Sequence, residues 1–437
     1  MKKVYLAHNI CLNSSYDFNI VKKALDSKDF ILVDSIKKAD TYIYAGCGVR
    51  GVWVDNAIEE INQAILLNPT LEIIATGCFA NIEPIKLQQN IKVKNLEIMS
   101  FSNIVDKYTN TKFEAIDKSL SQEKDINFEG ENTQRKRISD LKKSLVNELQ
   151  VLDQKYQLNI TKKYKEVTKG FVFYNEDEEI EYITITRGCP YKCSYCSIPI
   201  GRGGEYTTVP LGDIIEKINN VIKKNIKRIL LLGDEIGNYG LGTNNMDFSK
   251  LLDFILEKND LKVAIRYLEP KPFLKHFDTI KKYCENGKIE LLYLPIQSGS
   301  NKVLKLMNRT YQIDDELIEK ILYLRNNTNV IFYTNWMVGF NSETDEDLAK
   351  TVQLVKKLDL HINVVIPFSE RPNTPALKIP HKVSAIEKKN RHTKLFKIIK
   401  EMKRKKFEKD LLLVEEKERN IILDKIINAE EYTVLVD

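Results

Sequence analysis

A chain of 437 residues, 43% of them apolar, is long enough for two or three ordinary cores and too large for a miniature held by disulfides. No stretch approaches the roughly 18 to 20 apolar residues of a membrane span, so no membrane partner is expected. The net charge of +6 is unevenly spread: residues 381–410 hold 12 Lys or Arg against 4 Asp or Glu, which makes basicity one segment's property. The start, MKKVYLAHNICL, breaks its apolar run at His8 and Asn9 before a signal-peptide core could form, and a cytoplasmic location is expected. In that reducing compartment grouped cysteines bind metal or do redox work more often than they form disulfides.

Three apolar runs, KVYLAH (3–8), DTYIYAG (40–46) and LEIIATG (71–77), alternate with helical patterns, clearest in DNAIEEINQAILL (55–67), and read as parallel βα units. A cysteine follows each run: Cys11, Cys47 and Cys78. Strand carboxyl ends share one edge of an open parallel sheet, so the three are expected to converge. Residues 104–172 are rich in Lys, Glu, Asn and Gln, and RKRISDLKKSLVNELQVLDQKY spaces Ile138, Leu141, Leu145, Leu149, Leu152 and Tyr156 by three and four. This predicts an amphipathic linker helix packed on a neighbouring domain, with a substrate-contacting element as the alternative.

Six further strand-like runs follow: EYITITR (181–187), RILLLG (228–233), KVAIRYL (262–268), IELLYLPI (289–296), NVIFYTNWMV (329–338) and HINVVIPF (361–368), separated by helical patterns. Repeated βα units of this number predict a parallel barrel or part of one, with working groups at the strands' C-terminal side. After Ala376 comes a basic, largely helical stretch to about residue 413, then two strand-like pieces, NIILDKI and YTVLVD. Gly339 is the last glycine, and small closed barrels use glycine at corners, so a nucleic-acid-binding β-barrel is not expected there. The expected fold is therefore α/β: an N-terminal parallel βα domain (1–103), a charged helical insertion (104–175), a partial (βα)6 barrel (176–378) and a basic helical extension with short strands (379–437).

Cys189, Cys193 and Cys196 form CxxxCxxC after the first of the six later strands. A structural zinc site closes with four ligands, commonly from CxxC pairs, and a ferredoxin-like site wants a fourth thiolate. Three thiolates on a cubane leave one iron open, which makes sense where something must bind. The spacing, with Tyr195 before the last cysteine, resembles the radical S-adenosylmethionine (SAM) enzymes. In that superfamily the open iron chelates SAM, and one electron from a reductant then yields a 5'-deoxyadenosyl radical. Together with "HNICLNSSYD", "YAGCGVRG", "ATGCFAN", "LPIQSGSNKVLKLMNRTY", "MVGFNSETDEDL" and "FSERPNTPA", the chain resembles the radical SAM methylthiotransferases. The resemblance implies two 4Fe-4S clusters, one on Cys189, Cys193 and Cys196 and a sulfur-carrying one on Cys11, Cys47 and Cys78. It also implies two uses of SAM, as methyl donor and as radical source, to turn a C–H bond into C–SCH3.

By the same resemblance Gly233, Asp234 and Glu235 would contact the amino group of SAM, and Gln297, Ser298, Gly339 and Glu343 would contact SAM or its ribose; each position also suits a turn or helix cap. Arg202 and Arg371 suit either an anion or a solvated surface, and Cys284, at a helix end, reads as a structural thiol. Asn373, Asn341 and Ser342 stand where the family often has glycine or Pro-Gly, and the small β-barrel that ends its members is missing. That loss tilts the expected substrate toward a peptide or protein side chain, of the aspartyl β-carbon type, with a tRNA adenosine as the alternative favoured by the basic segment. Two rivals remain: a radical SAM enzyme whose second cluster relays electrons, and a non-catalytic iron-sulfur protein that binds RNA.

Overall fold

The computed structural model describes residues 1–26, 29–93, 95–109, 112–113, 131–168, 180–243 and 246–434. Its first sheet is wholly parallel, with β1 (Lys2–His8), β2 (Phe30–Leu32), β3 (Thr41–Ala45), β4 (Glu72–Thr76) and β5 (Leu96–Ile98) in the order β2-β1-β3-β4-β5. The three predicted runs form the three central strands. β3 is buried along its length and β4 beyond Glu72, the continuous apolar reading of a parallel strand covered on both faces. β2 and β5 escape the sequence pattern because each is a three-residue, partly exposed edge strand.

The later strands are β6 (Ile180–Thr184), β7 (Thr186–Arg187), β8 (Thr207–Thr208), β9 (Arg228–Leu232), β10 (Lys262–Ile265), β11 (Ile289–Tyr293), β12 (Ile331–Val338) and β13 (Ile362–Pro367). β7 and β8 make a small antiparallel ladder. The other six are parallel in sequential order, with β6 and β13 at the edges, which is a parallel barrel opened along one seam.

Side chains alternate across this sheet as the pleat requires. Ile229, Leu231, Val263, Ile265 and Phe332 pack under the flanking helices. Leu230, Leu232, Ala264, Leu291 and Tyr333 share a core with Tyr16, Phe18 and Ile104 of the N-terminal unit. Leu230, Leu232 and Leu291 are fully buried, and each such side chain contributes up to about 1.5–3 kcal/mol. The N-terminal unit is thus packed on the inner face of the second sheet, not tethered beside it. Helix Phe101–Tyr108 belongs to this contact through Ile104, which carries the N-terminal unit past the expected limit at residue 103.

The expected C-terminal strands are corrected. NIILDKI lies in helix Glu416–Val434, where Ile422, Leu423 and Ile426 are buried at helical spacing while Ile421 is exposed. Residues 435–437 of YTVLVD lie outside the described residues. The amphipathic stripe finds its neighbour in the C-terminal extension: in helix Glu131–Tyr156, Leu145, Leu149 and Leu152 pack with Phe407, Leu411, Val414 and Leu423. Insertion and extension therefore build one helical unit, fastened at its rim where Tyr156 OH donates to Glu418 over 2.8 Å. The side chains of Ile138 and Leu141 lie outside those described. The basic helix Ala385–Asp410 is capped by Ser384 Oγ, which accepts from Glu387 N, and it docks Leu395 and Ile399 on the barrel and Phe407 on the helical unit. Among the described residues no helix is long and apolar enough to cross a membrane.

Candidate active site

Three adjacent parallel strands deliver the first set of thiols. Cys11 caps helix Leu12–Leu25 just beyond β1, Cys47 follows β3, and Cys78 opens helix Cys78–Ile82 just beyond β4. They converge as the strand-end argument requires: Ser14 Oγ lies 3.7 Å from Cys11 Sγ and 3.9 Å from Cys78 Sγ, and Cys11 and Cys78 both lie near enough to Cys47 to act on it electrostatically. Asn9 Oδ1 accepts from Cys47 N at 2.8 Å and holds that loop. Gly77 needs its positive φ of 88°, and a Cβ there would crowd Gly46 O at 2.9 Å.

Cys189, Cys193 and Cys196 occupy the loop after β7, pinned from several sides. Gly188 N donates to Asp234 Oδ2 (3.0 Å), Ser194 N to Met307 O (2.9 Å), Ala376 N to Ser194 O (2.8 Å) and Asn308 Nδ2 to Lys192 O (2.7 Å). Arg309, a residue sequence reasoning missed, is buried here: its Nη1 lies 3.5 Å from Cys193 Sγ and 3.1 Å from Tyr195 OH. The Tyr195 ring stands edge-on to Phe340 at 6.3 Å, which gives the loop an apolar wall.

The two sets of thiols share neighbours. Helix Ile198–Gly201, which follows Cys196, reaches Cys78 so closely that a Cβ on Gly201 would lie 3.3 Å from Cys78 Sγ, and Asn81 Nδ2 donates to Gly201 O at 2.9 Å. Arg202, next in sequence, is buried between Asp17 (2.8 Å) and Asp234 (3.0 Å). The Asp234 charge is felt by both Cys78 and Cys196. Of the two expectations for Arg202 and Arg371, an anion or a solvated surface, both take the anion: Arg371 is buried in an ion pair with Glu83 and pulls weakly against the burial that raises the Cys47 thiol. Each set of thiols thus has a buried guanidinium nearby, which offsets the negative charge of thiolates on a cluster.

Burial pushes the Cys78 thiol up to about 11, against the pull of Arg202, and Cys196 up to about 12; burial also raises Cys47 and Cys189. These thiols are protonated at neutral pH, and metal binding would release their protons. Among the described residues no three His, Cys, Asp or Glu side chains close around one ion. A cubane asks for something different, thiolates spread over separate irons, and two sets of three soft ligands fit it.

The other residues expected at SAM are placed as follows. A Cβ on Gly233 would overlap Thr186 Oγ1, so glycine there lets β9 approach β7. Asp234 is engaged by Arg202 and Gly188, and Glu235 caps the next turn by accepting from Gly237 N (2.8 Å) and Asn238 N (3.1 Å), its carboxyl raised by burial to about 7. Ser298 is enclosed, bonded to Thr351 and Ser300 N. Glu343 accepts from Gly339 N and pairs with Arg391 at 2.8 Å. Gln297, at a φ of 69°, leaves its Oε1 buried without a partner among the described residues, as are Oδ1 of Asn335 and the second oxygen, Oε1, of Glu343, acceptors that a ligand's N–H or O–H would satisfy. Cys284 is buried in the outer core, away from both sets.

Residues 183–355 match the Radical SAM superfamily and residues 3–98 the Uncharacterized protein family UPF0004. The tRNA-2-methylthio-N(6)-dimethylallyladenosine synthase of Buchnera aphidicola subsp. Baizongia pistaciae is 29% identical over 400 residues, 89% of this chain and 80% of the relative. The protein of the same name from Thermodesulfovibrio yellowstonii is 28% identical over 427 residues, 93% and 86% of the two chains. Among solved structures, a radical S-adenosylmethionine methyltransferase from Kitasatospora setae, with cobalamin and a 4Fe-4S cluster bound, superposes with a TM-score of 0.55 at 14% identity over 86% of this chain and 77% of that one. This last likeness concerns the fold alone.

Proposed function

Since this chain fits the radical SAM methylthiotransferase family, whose enzymes use two 4Fe-4S clusters and SAM, we propose that it places a methylthio group at C-2 of an N6-dimethylallyladenosine in tRNA. The chemistry is carried by one observation: two sets of three cysteines, one at the strand ends of the first sheet and one in the loop after β7, come close around Arg202, Asp17 and Asp234. The substrate rests on the relatives, which are named for tRNA and align along about nine-tenths of the chain. They give no support to the peptide side chain first expected from the missing barrel.

Cys189, Cys193 and Cys196 would hold the cluster that binds SAM, and Cys11, Cys47 and Cys78 the second one. When bound, the clusters and SAM supply the radical, the sulfur and the methyl group. The chain's own residues fix where these act. Arg202 ties the N-terminal unit to the loop after β9, Arg309 steadies the Cys193 side, and Tyr195 with Phe340 keeps water from that wall. Gln297 Oε1, beyond β11, and Asn335 Oδ1, within β12, would accept hydrogen bonds from SAM.

The test is anaerobic incubation of the reconstituted protein with SAM, a one-electron reductant and tRNA bearing N6-dimethylallyladenosine, followed by mass spectrometry of the digested nucleosides. The 2-methylthio nucleoside is expected. Release of 5'-deoxyadenosine with the tRNA unchanged would overturn the substrate assignment.

A further inference from the structure

Beside the Cys47 side of the site lies a cleft of about 470 Å³, within the about 300–1,000 Å³ of ordinary ligand pockets. Arg50, Lys388, Lys389 and His392 line it with Phe368 and Glu370. Arg50 comes three residues after Cys47, and Gly51 N donates to Ser369 Oγ at 3.5 Å, so the segment that carries Cys47 runs on into the wall of the cleft.

Its charge is one-sided. Glu370, the carboxylate among the lining residues, is already held by Lys382 (3.0 Å) and Asn341 (3.1 Å). Arg50 Nε is buried without a hydrogen-bond partner, and among the described residues neither Lys388 nor Lys389 forms an ion pair. Rings hold these cations in place: the Arg50 guanidinium stands 5.4 Å from the Trp53 centroid and Lys388 Nζ 5.0 Å from that of Phe368.

The cleft continues as a stripe. On helix Ala385–Asp410, Lys389, His392, Phe396 and Lys400 recur at steps of three and four, on one face over about 16 Å. His392 stacks on Phe396 at 5.7 Å and Lys400 Nζ sits 4.7 Å from the same ring. A single small anion needs only the cradle. A track of cations interleaved with rings suits a linear polyanion with stacking bases.

We propose that this cleft and stripe hold the sugar-phosphate backbone of the single-stranded tRNA segment flanking the modified adenosine. The inference rests on the tRNA reading above. Its experiment therefore measures binding, apart from turnover.

Fluorescently labelled tRNA bearing N6-dimethylallyladenosine is titrated against the reconstituted protein across a salt series. The triple variant Arg50→Gln, Lys388→Gln, Lys389→Gln is compared with Lys223→Gln, Lys224→Gln, Lys258→Gln, which removes equal charge from segments that precede β9 and β10, at the other end of the sheet. The cleft variant is expected to bind about tenfold or more weakly, with a log K against log salt slope flatter by about two, since each single-strand phosphate contact carries about 0.7. Its iron content should equal the parent's, and the control should bind like the parent. Parent-like affinity and slope in the cleft variant, or an equal loss in the control, would overturn the inference while leaving the tRNA reading standing. A parent that binds no tRNA would defeat both.

Discussion

Replacing Arg202 by Met removes the cation that closes two buried carboxylates. The Asp17 and Asp234 side chains are each only 7% exposed, and Arg202 itself 11%, so solvent screens little of the loss. Removing one partner of a buried pair costs about 3–5 kcal/mol; here Arg187 stays 3.2 Å from Asp17 and Gly188 N stays on Asp234, which places the expected loss near the lower end, at about 3 kcal/mol. Because Asp17 belongs to the N-terminal unit and Asp234 to the loop after β9, the loss should loosen the contact between the two sheets. Equilibrium urea unfolding can follow both sides, since Trp53 reports on the first unit and Trp336 on the second. The combined variant Asp17→Asn, Arg202→Met, Asp234→Asn should regain most of the stability, because no uncompensated buried carboxylate is left behind and Arg187, which loses Asp17, is 28% exposed and can be hydrated. A loss below about 1 kcal/mol in the single variant, or no recovery in the combined one, would refute the argument that this ion triad holds the two sets of thiols in register.

Cys47→Ala should abolish the methylthio nucleoside while leaving SAM cleavage to 5'-deoxyadenosine largely intact; chromatography of both products checks this, and survival of methylthiolation would contradict the second cluster assignment. Gly233→Ala forces a Cβ into Thr186 Oγ1, so it should cost about 1–3 kcal/mol and lower SAM cleavage by displacing the loop that carries Cys189, read as a lower urea midpoint and a lower 5'-deoxyadenosine rate. Burial, then Lys406 and Arg325, pull His361 from 6.5 to about 4. The folded state keeps it neutral while the unfolded chain protonates it below 6.5, so its contribution is whole above that pH and is lost as pH falls toward 4, by about 3 kcal/mol. In His361→Asn the fall of unfolding free energy between pH 6.5 and 4 should be shallower by about one proton.

Much of the site is legible in the sequence because its parts are local. CxxxCxxC follows a strand within one short loop, and Cys11, Cys47 and Cys78 each sit just beyond a run that reads as a parallel strand, so the sheet rule alone brings them together. What stays hidden depends on partners far along the chain. The stripe through Leu145, Leu149 and Leu152 announces a buried face, but periodicity is silent on what covers it, and the cover is a helix some 260 residues later. NIILDKI is apolar enough for a strand and becomes a helix because that cover needs Ile422, Leu423 and Ile426 on one side. Arg202 and Arg371 suit an anion or the surface equally in sequence, and only the fold shows that Asp17, Asp234 and Glu83 enclose them. Position alone marks Glu343 for SAM, and the sequence does not show that Arg391 of the basic helix pairs with its Oε2 while Oε1 stays without a partner among the described residues.

The central claim, that each set of three cysteines holds its own cluster, is met most directly by counting iron and sulfide after anaerobic reconstitution of three proteins. These are the parent, the Cys189→Ala, Cys193→Ala, Cys196→Ala variant and the Cys11→Ala, Cys47→Ala, Cys78→Ala variant. The account predicts about eight irons in the parent and about four in each variant, with an equal number of sulfides. About four irons in the parent, lost entirely when Cys189, Cys193 and Cys196 are replaced, would contradict it.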